Sequence, residues 1–215
     1  MDYRRELLKT HFITTKDSLD EVVSKYVVSI AQEGDIVIFC EKIISIMQGR
    51  VVYKKDIHLS FWAKFLSRFV TKNSYGFSVG DPYKMQVAIN ESGLIRIIFA
   101  SIIGGFSKLF GLKGVFYILA GNQVSEIDGF HEESFKEYKN MGILGSKDTS
   151  LVCEKLKKQY GFSCAVVDIN DIGGNIIGIS SDILSQKQLI LDILADNPAG
   201  QSNAQTPIII IKKIT

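Results

Sequence analysis

Asp35-Ile36-Val37-Ile38-Phe39-Cys40 is the stretch that decides the fold. A continuous apolar run of this length leaves no polar face, so it reads as a strand buried on both sides. A second run, Pro207-Ile208-Ile209-Ile210-Ile211, reads as a strand inside a sheet. Upstream of the first, Asp17-Ser18 offers helix caps, and Glu21 follows Ser18 at capping-box spacing. Leu19, Val22, Val23, Tyr26, Val27 and Ile30 then recur at helical intervals, which predicts a helix that ends at Gly34. Downstream, Arg50–Lys54 reads as another strand. Helices are expected over 60–70 and 82–91, the latter with Pro82 in its first turn. The apolar runs Ile95–Ala100 and Val115–Leu119 read as strands, and Gly121 to Asn140 as a polar loop.

Asp148 to Tyr160 reads as an amphipathic helix stopped by Gly161, with Val152, Cys153, Leu156 and Tyr160 on its core face. Strands follow at Ser163–Asp168 and Asn175–Ile179, then a short helix at Ser185–Ala195. Strands and helices mix without a regular βαβ repeat. The expected class is therefore α+β, with mixed sheets and helices packed on them. No Pro/Ser-rich linker divides the chain, so 1–215 is read as a single unit with no internal boundary placed.

Composition narrows the function classes. With 46% hydrophobic residues in a chain of 215, enough apolar surface is present to offset chain entropy, so disorder is excluded as the main state. The 25 basic and 23 acidic residues nearly cancel, which gives no argument for nucleic acid or an anionic membrane as partner. Mean hydropathy is slightly positive, at +0.15. The longest uncharged part of the apolar region, Ile97–Ser107, is nevertheless too short to span a bilayer, which needs about 20 residues. It also contains Gly104-Gly105, expected to break a helix, so a buried strand followed by a turn is expected there. Three unpaired-looking cysteines, Cys40, Cys153 and Cys164, suggest free thiols in a reducing cytosol. Zinc spacings are absent, and so are GxxxxGK[ST], GxGxxG and GxSxG. His11, His58 and His131 stand far apart and near no nucleophile; Trp62, with Phe61, Phe65, Leu66 and Phe69, reads as a core stripe.

Four polar segments carry the chemistry. Asp168-Ile-Asn-Asp171-Ile-Gly-Gly-Asn175 follows an apolar strand. It reads either as a β-turn or as a carboxylate site for Mg²⁺ or Mn²⁺, which take oxygen ligands. Gly121 to Gly129, with Glu126 and Asp128, is a second polar loop that either converges on the same site or is simply solvated. Asn197 to Pro207 is rich in small and amide residues, suited to cradle an anion or base or to form a surface loop. Glu41-Lys42…Ser45…Gln48-Gly49-Arg50 ends in an arginine able to grip a phosphate with two parallel bonds, or to be solvated on a surface.

Taken in order, these segments resemble the γ-glutamyl ligase family of coenzyme F420 biosynthesis (coenzyme F420-0:L-glutamate ligase), in a divergent bacterial branch. The matching parts are Gly34-Asp35…Glu41-Lys42…Ser45…Gly49-Arg50-Val-Val, Gly80-Asp81-Pro82…Glu91-Ser92, Ala120–Asp128, Val166–Gly174 and Gly200–Ile211. The resemblance implies an α+β fold, a homodimer, GTP as co-substrate, Mg²⁺ or Mn²⁺, and a small carboxylate and an amino acid joined as an amide. Carried over residue by residue, it puts Asp171 on a metal-binding aspartate, with Asp168 and Glu126 in support. Ser45, Arg50 and Asp128 fall at nucleotide contacts, and Gly200, Gln201, Ser202, Asn203, Gln205 and Thr206 form the C-terminal nucleotide loop. The chain departs from the family pattern at Ile46, Ser125, Ile172 and Ala204, which replace a lysine, an aspartate, a threonine and an acidic residue. The alternative to a ligase is a non-catalytic nucleotide- or small-ligand-binding module on the same fold. Neither nucleic acid nor membrane is expected as a partner.

Overall fold

A computed structural model describes residues 3–70, 79–112, 114–130, 140–170, 173–200 and 204–213. In chain order the elements are β1 (Tyr3–Leu8), α1 (Leu19–Tyr26), β2 (Ile36–Cys40), α2 (Glu41–Met47), β3 (Val51–Tyr53), α3 (Phe61–Leu66), α4 (Pro82–Ser92) and α5 (Leu94–Leu109). There follow α6 (Val115–Ala120), α7 (Asn122–Ser125), β4 (Asp128–Gly129), β5 (Met141–Ile143), α8 (Thr149–Tyr160), β6 (Ser163–Asn170), β7 (Gly173–Ile179), α9 (Lys187–Ile193) and β8 (Ile208–Lys213). The class is α+β. The chain forms two compact units: Val51–Gly145 is one, and the flanking segments, up to Arg50 and from Ser146 onward, make the other.

The flanking unit is built on a five-stranded sheet of order β1-β8-β2-β6-β7. β2 lies at its centre, antiparallel to β8 and parallel to β6. Ile36 and Ile38 pack with Ile209, Ile211, Ala165 and Val167 beneath α9. Val37 and Phe39 point the other way and are also fully buried. Two buried faces are the physical reason that no polar residue interrupts the run. β8 is internal, as its isoleucines require, and its outer neighbour β1 is a strand that the sequence pattern did not reveal.

Ser18 and Glu21 form the expected capping box on α1. The helix stops at Tyr26 rather than Gly34, where β-branched Val27 and Val28 begin and the backbone bonds shift out of the regular helical series. α8 runs as expected to Gly161, with Cys153 and Leu156 buried and Val152 and Tyr160 partly so. Its Lys157 reaches Asp182 (Nζ to Oδ1 2.8 Å), and the Ser163 hydroxyl donates to the same carboxylate. Burial raises the Asp182 pKa, but the bonds from Lys157, Ser163 and Ser180 outweigh it and hold the carboxyl below its usual 3.8. Its contribution to stability is therefore complete above that value and lost as pH falls through the depressed one. Asp182→Asn is expected to flatten the acid limb of a melting-temperature profile taken from about pH 5 to about pH 2, by no more than about 1 kcal/mol because the pair is a third exposed.

The Val51–Gly145 unit pairs a three-stranded antiparallel sheet, β3-β5-β4, with helices α3 to α7. Its core gathers Met85, Val87, Ile97, Ala100, Ala120 and Phe130. Pro82 occupies the first turn of α4, as expected; before it Asp81 Oδ1 accepts the N–H groups of Tyr83 and Lys84 at 2.8 and 3.2 Å. Gln86 anchors the start of the preceding helix, α3, from within the core, its Oε1 accepting the Ser60 N–H at 2.9 Å.

Three expectations fail in this unit. Ile95–Ala100 and Val115–Leu119 are helical, in α5 and α6, not strands. A short apolar run has no period to separate the two, and here burial follows the helix: Ile97, Ala100 and Gly104 are inside, while Ile95 and Phe99 are exposed. Gly104-Gly105 does not break α5, because Gly104 is where α6 packs: a Cβ there would lie 2.9 Å from Phe116 Cβ. The aromatic stripe of α3 is not core either. Ala63 and Leu66 are buried, whereas Phe61 and Phe69 are 70% and 69% exposed, because the core side of this short helix is taken by the small and aliphatic residues. The Gly121 loop correspondingly follows a helix and contains α7 and β4. No single helix among the described residues is long and apolar enough to cross a membrane, and α4 and α5 are bent by 118° across Gly93.

Candidate functional site

Strand register brings several of the polar segments to one end of the five-stranded sheet. β2 and β6 run parallel with Cys40 opposite Val167, so Glu41 and Asp168 follow at adjacent strand positions. β8 enters at the same end, where the Cys40 N–H donates to Pro207 O at 2.9 Å. The connection before β8 is tied there twice: Thr10 N–H donates to Gln205 O at 3.0 Å, and Thr206 Oγ1 donates to Ala199 O at 2.7 Å. Across β6 and β7, Asp168 pairs with Asn175, and both are exposed. The carboxyl end of parallel strands is where α/β sheets commonly place ligands.

Charge at this edge is felt by Cys40. Burial pushes its thiol up to about 11; Lys42 pulls it down and Asp168 pushes it further up. At neutral pH it is a protonated thiol and a poor nucleophile. Cys164 is held protonated too, chiefly by its side-chain interaction with Cys153 and secondly by burial; its Sγ also donates to Cys153 O. All three cysteines are free, as expected.

From this edge α2 leads to a cleft. At its first residue, Glu41 Oε1 accepts both the N–H and the hydroxyl of Ser146, each at 2.9 Å. Just beyond its end, Gln48 pairs with the Lys147 backbone through both amide atoms: Nε2 donates to Lys147 O at 2.7 Å, and Lys147 N–H donates to Oε1 at 2.9 Å. The segment before α8 is thereby clamped to α2. Gln48, Arg50, Lys147, Asp148, Leu151, Val152 and Lys155 line an open cleft of about 480 Å³. Arg50, Lys147 and Lys155 line it with one carboxylate, Asp148, and Lys155 is also paired with Asp20 (Nζ to Oδ2 3.4 Å). That balance attracts an anion, and the volume suits a ligand of nucleotide size.

The sequence-derived candidates divide as follows. Arg50 lines the cleft, anchored by its N–H to Ser45 O at 2.9 Å, while Ser45 itself is buried. Asp168, Gly200, Gln205 and Thr206 belong to the flanking unit, with Asp168, Gln205 and Thr206 placed at the sheet end by the pairings above. Glu126 and Asp128 belong to the Val51–Gly145 unit. There Glu126 fills the space beside Gly145, and Asp128 Oδ1 accepts the Gly129 N–H at 2.6 Å. Asp171, Gln201, Ser202 and Asn203 lie outside the described residues, as does Ile172. Among the described residues no three His, Cys, Asp or Glu side chains converge on one point. Ile46 is buried in α2, and Ser125 Oγ donates to Asn122 O at 2.7 Å. Sequence reasoning missed Gln48 as a clamp and Lys147 and Lys155 as cleft cations. The only signal for the two lysines was position on and just before the polar face of α8.

Residues 7–107 of the 215 match the family model described as F420-0:Gamma-glutamyl ligase, and the match supports placing the chain in that family. It takes in β2, α2 and Arg50 together with the start of α4. No curated protein matches the chain.

Proposed function

We propose that this protein is a nucleotide- and metal-dependent γ-glutamyl ligase that joins glutamate to a carboxylate-bearing coenzyme precursor of the F420-0 type. The observation that carries the reading is the family match, whose span includes Arg50 in a basic cleft. GTP is the expected co-substrate. The carboxylate oxygen takes the γ-phosphoryl group as GDP leaves; the glutamate amine then attacks the acyl carbon and phosphate departs. Arg50, Lys147 and Lys155 bind the triphosphate and hold its charge while the group transfers. Asp168 and Asn175, opposite one another on β6 and β7, offer hard oxygen donors of the kind Mg²⁺ or Mn²⁺ takes, and Asp171 follows β6. When bound, such an ion supplies positive charge to the phosphates.

Calorimetry with GTP, with and without Mn²⁺, followed by an assay of glutamate-dependent phosphate release, tests this reading. Metal-dependent binding with turnover is expected, and Asp171→Ala is expected to abolish the metal dependence. Unchanged affinity in that variant overturns the metal assignment. Binding without turnover instead favours a non-catalytic module, a reading motivated by Ser125, whose hydroxyl serves its own helix where the family carries a carboxylate.

A further inference from the structure

The Val51–Gly145 unit exposes an unusual quantity of apolar surface. Along α5, Ile95, Phe99, Ile102, Phe106 and Leu109 recur at intervals of four and three, so they form one stripe. Their exposures run from 52% to 86%, and the buried Ile97, Ala100 and Gly104 line the opposite face. Phe110 and Leu112, just beyond the helix, are 80% and 58% exposed. α5 thus has two apolar faces, of which the core uses one. α3 and the turn after it repeat the theme with aromatic rings. Phe61, Trp62, Phe65 and Phe69 touch one another in series, with centroids 5.0 to 6.2 Å apart, at the surface. Lys64 and Arg68 are exposed among them.

Charge says what such a surface meets. Residues 57–80 contain Lys64, Arg68 and Lys72; residues 92–125 contain Arg96, Lys108 and Lys113. Neither segment contains any of the chain's 23 acidic residues. The two segments that carry the exposed apolar helices thus hold six cations and no acid in a chain that is nearly neutral overall, through a lack of acids rather than an excess of bases, with Asp56, Asp81, Glu91 and Glu126 at their borders. A second copy docking through this surface about a two-fold axis would set cations against cations with no acid in either segment to offset them. An anionic lipid surface offers the complement: headgroup charge for Lys and Arg, an interfacial layer for Trp and Phe, and acyl chains for Ile, Leu and Phe.

We infer that the faces of α3 and α5 seat this unit on an anionic lipid bilayer, as a peripheral contact lying in the interface rather than crossing it. α5, about 24 Å long at the usual helical rise, would lie in the membrane plane.

Trp62 is the sole tryptophan and sits within the surface, so it reports directly. The full chain is mixed with vesicles of phosphatidylcholine alone or of phosphatidylcholine with phosphatidylglycerol, and read by flotation and Trp62 emission. Co-flotation and a blue shift are expected with the anionic vesicles and far less with the neutral ones. Lys64→Glu and Arg68→Glu are each expected to lower partitioning by at least about fivefold. Phe99→Asp with Phe106→Asp is expected to abolish flotation while circular dichroism stays unchanged, because both residues face away from the core. Should that pair fail to fold, the Lys64 and Arg68 variants decide. Failure to float with anionic vesicles, or equal flotation with neutral ones, overturns the inference. So does a dimer in solution that becomes monomeric in the Phe99/Phe106 variant and binds no vesicle.

Discussion

Gly178→Val is expected to destabilise the flanking unit by about 3–4 kcal/mol. The first turn of α8 rests directly on β7 at this glycine, and a Cβ there would come within 2.5 Å of the backbone C, the Cβ and the Oγ1 of Thr149. Overpacking costs about 1–3 kcal/mol where side chains can shift. Here the obstacle includes backbone on both sides, so the upper end applies. The displaced turn also forfeits the bond from Thr149 Oγ1 to Ile177 O (2.8 Å), a further ~1 kcal/mol. Against a usual total of about 5–15 kcal/mol the domain still folds, and denaturant unfolding of the variant measures the loss. A second effect follows from the same contact. Lys147 and Asp148 lead into that turn and line the cleft, so a displaced α8 opens the cleft on one side. Ligand affinity should fall at temperatures where the variant remains folded. Unchanged stability would mean that α8 does not rest on β7 at Gly178.

The central sheet was legible because burial on both faces removes every polar residue from β2 and from the Ile208–Ile211 part of β8, which leaves a pattern few other elements produce. α1, α4 and α8 were legible from their ends, where Ser18 with Glu21, Pro82, and Gly161 act within one turn. α5 and α6 were not. Their apolar residues cover the exposed side as well as the buried one, so the period that marks a helix is erased. The glycine pair that reads as a breaker is instead a packing device, and its partner Phe116 stands 12 residues away in sequence. β1 was hidden for the opposite reason. Tyr3–Leu8 is an edge strand with charged Arg4, Arg5 and Glu6, and its pairing with β8 is invisible locally.

The candidate site was legible in part. Polar loops after apolar strands pointed to the end of the sheet, and register there brings Asp168 and Gln205–Pro207 to β2. What sequence could not supply is long-range pairing. Gln48 meets Lys147, and Glu41 meets Ser146, across about half the chain. Neither partner carries a motif. A glutamine clamping a backbone and a lysine lining a cleft look like ordinary surface residues until the fold brings them together.

Arg50→Ala is expected to weaken GTP binding by about 10- to 100-fold, the loss of one or two charge-assisted hydrogen bonds worth about 1.5–3 kcal/mol together. The guanidinium is the one cleft cation whose planar fork matches two phosphate oxygens, so Arg50→Lys should restore charge but only part of the affinity. Lys155→Ala removes a point charge from the rim of the same cleft and should cost less, in a manner that fades as salt rises. The three variants therefore order themselves by geometry as well as by charge. Titration calorimetry at two ionic strengths reads that order. A structural role for the Arg50 side chain would instead lower the melting temperature; its N–H bond to Ser45 O belongs to the backbone and survives truncation, so that bond alone predicts no change. Equal affinity for wild type and Arg50→Ala, with melting unchanged, would remove the triphosphate from this cleft and turn attention to the Asp168 end of the sheet. An Arg50→Lys variant as tight as wild type would leave the cleft in place as a site of charge but not of paired hydrogen bonds.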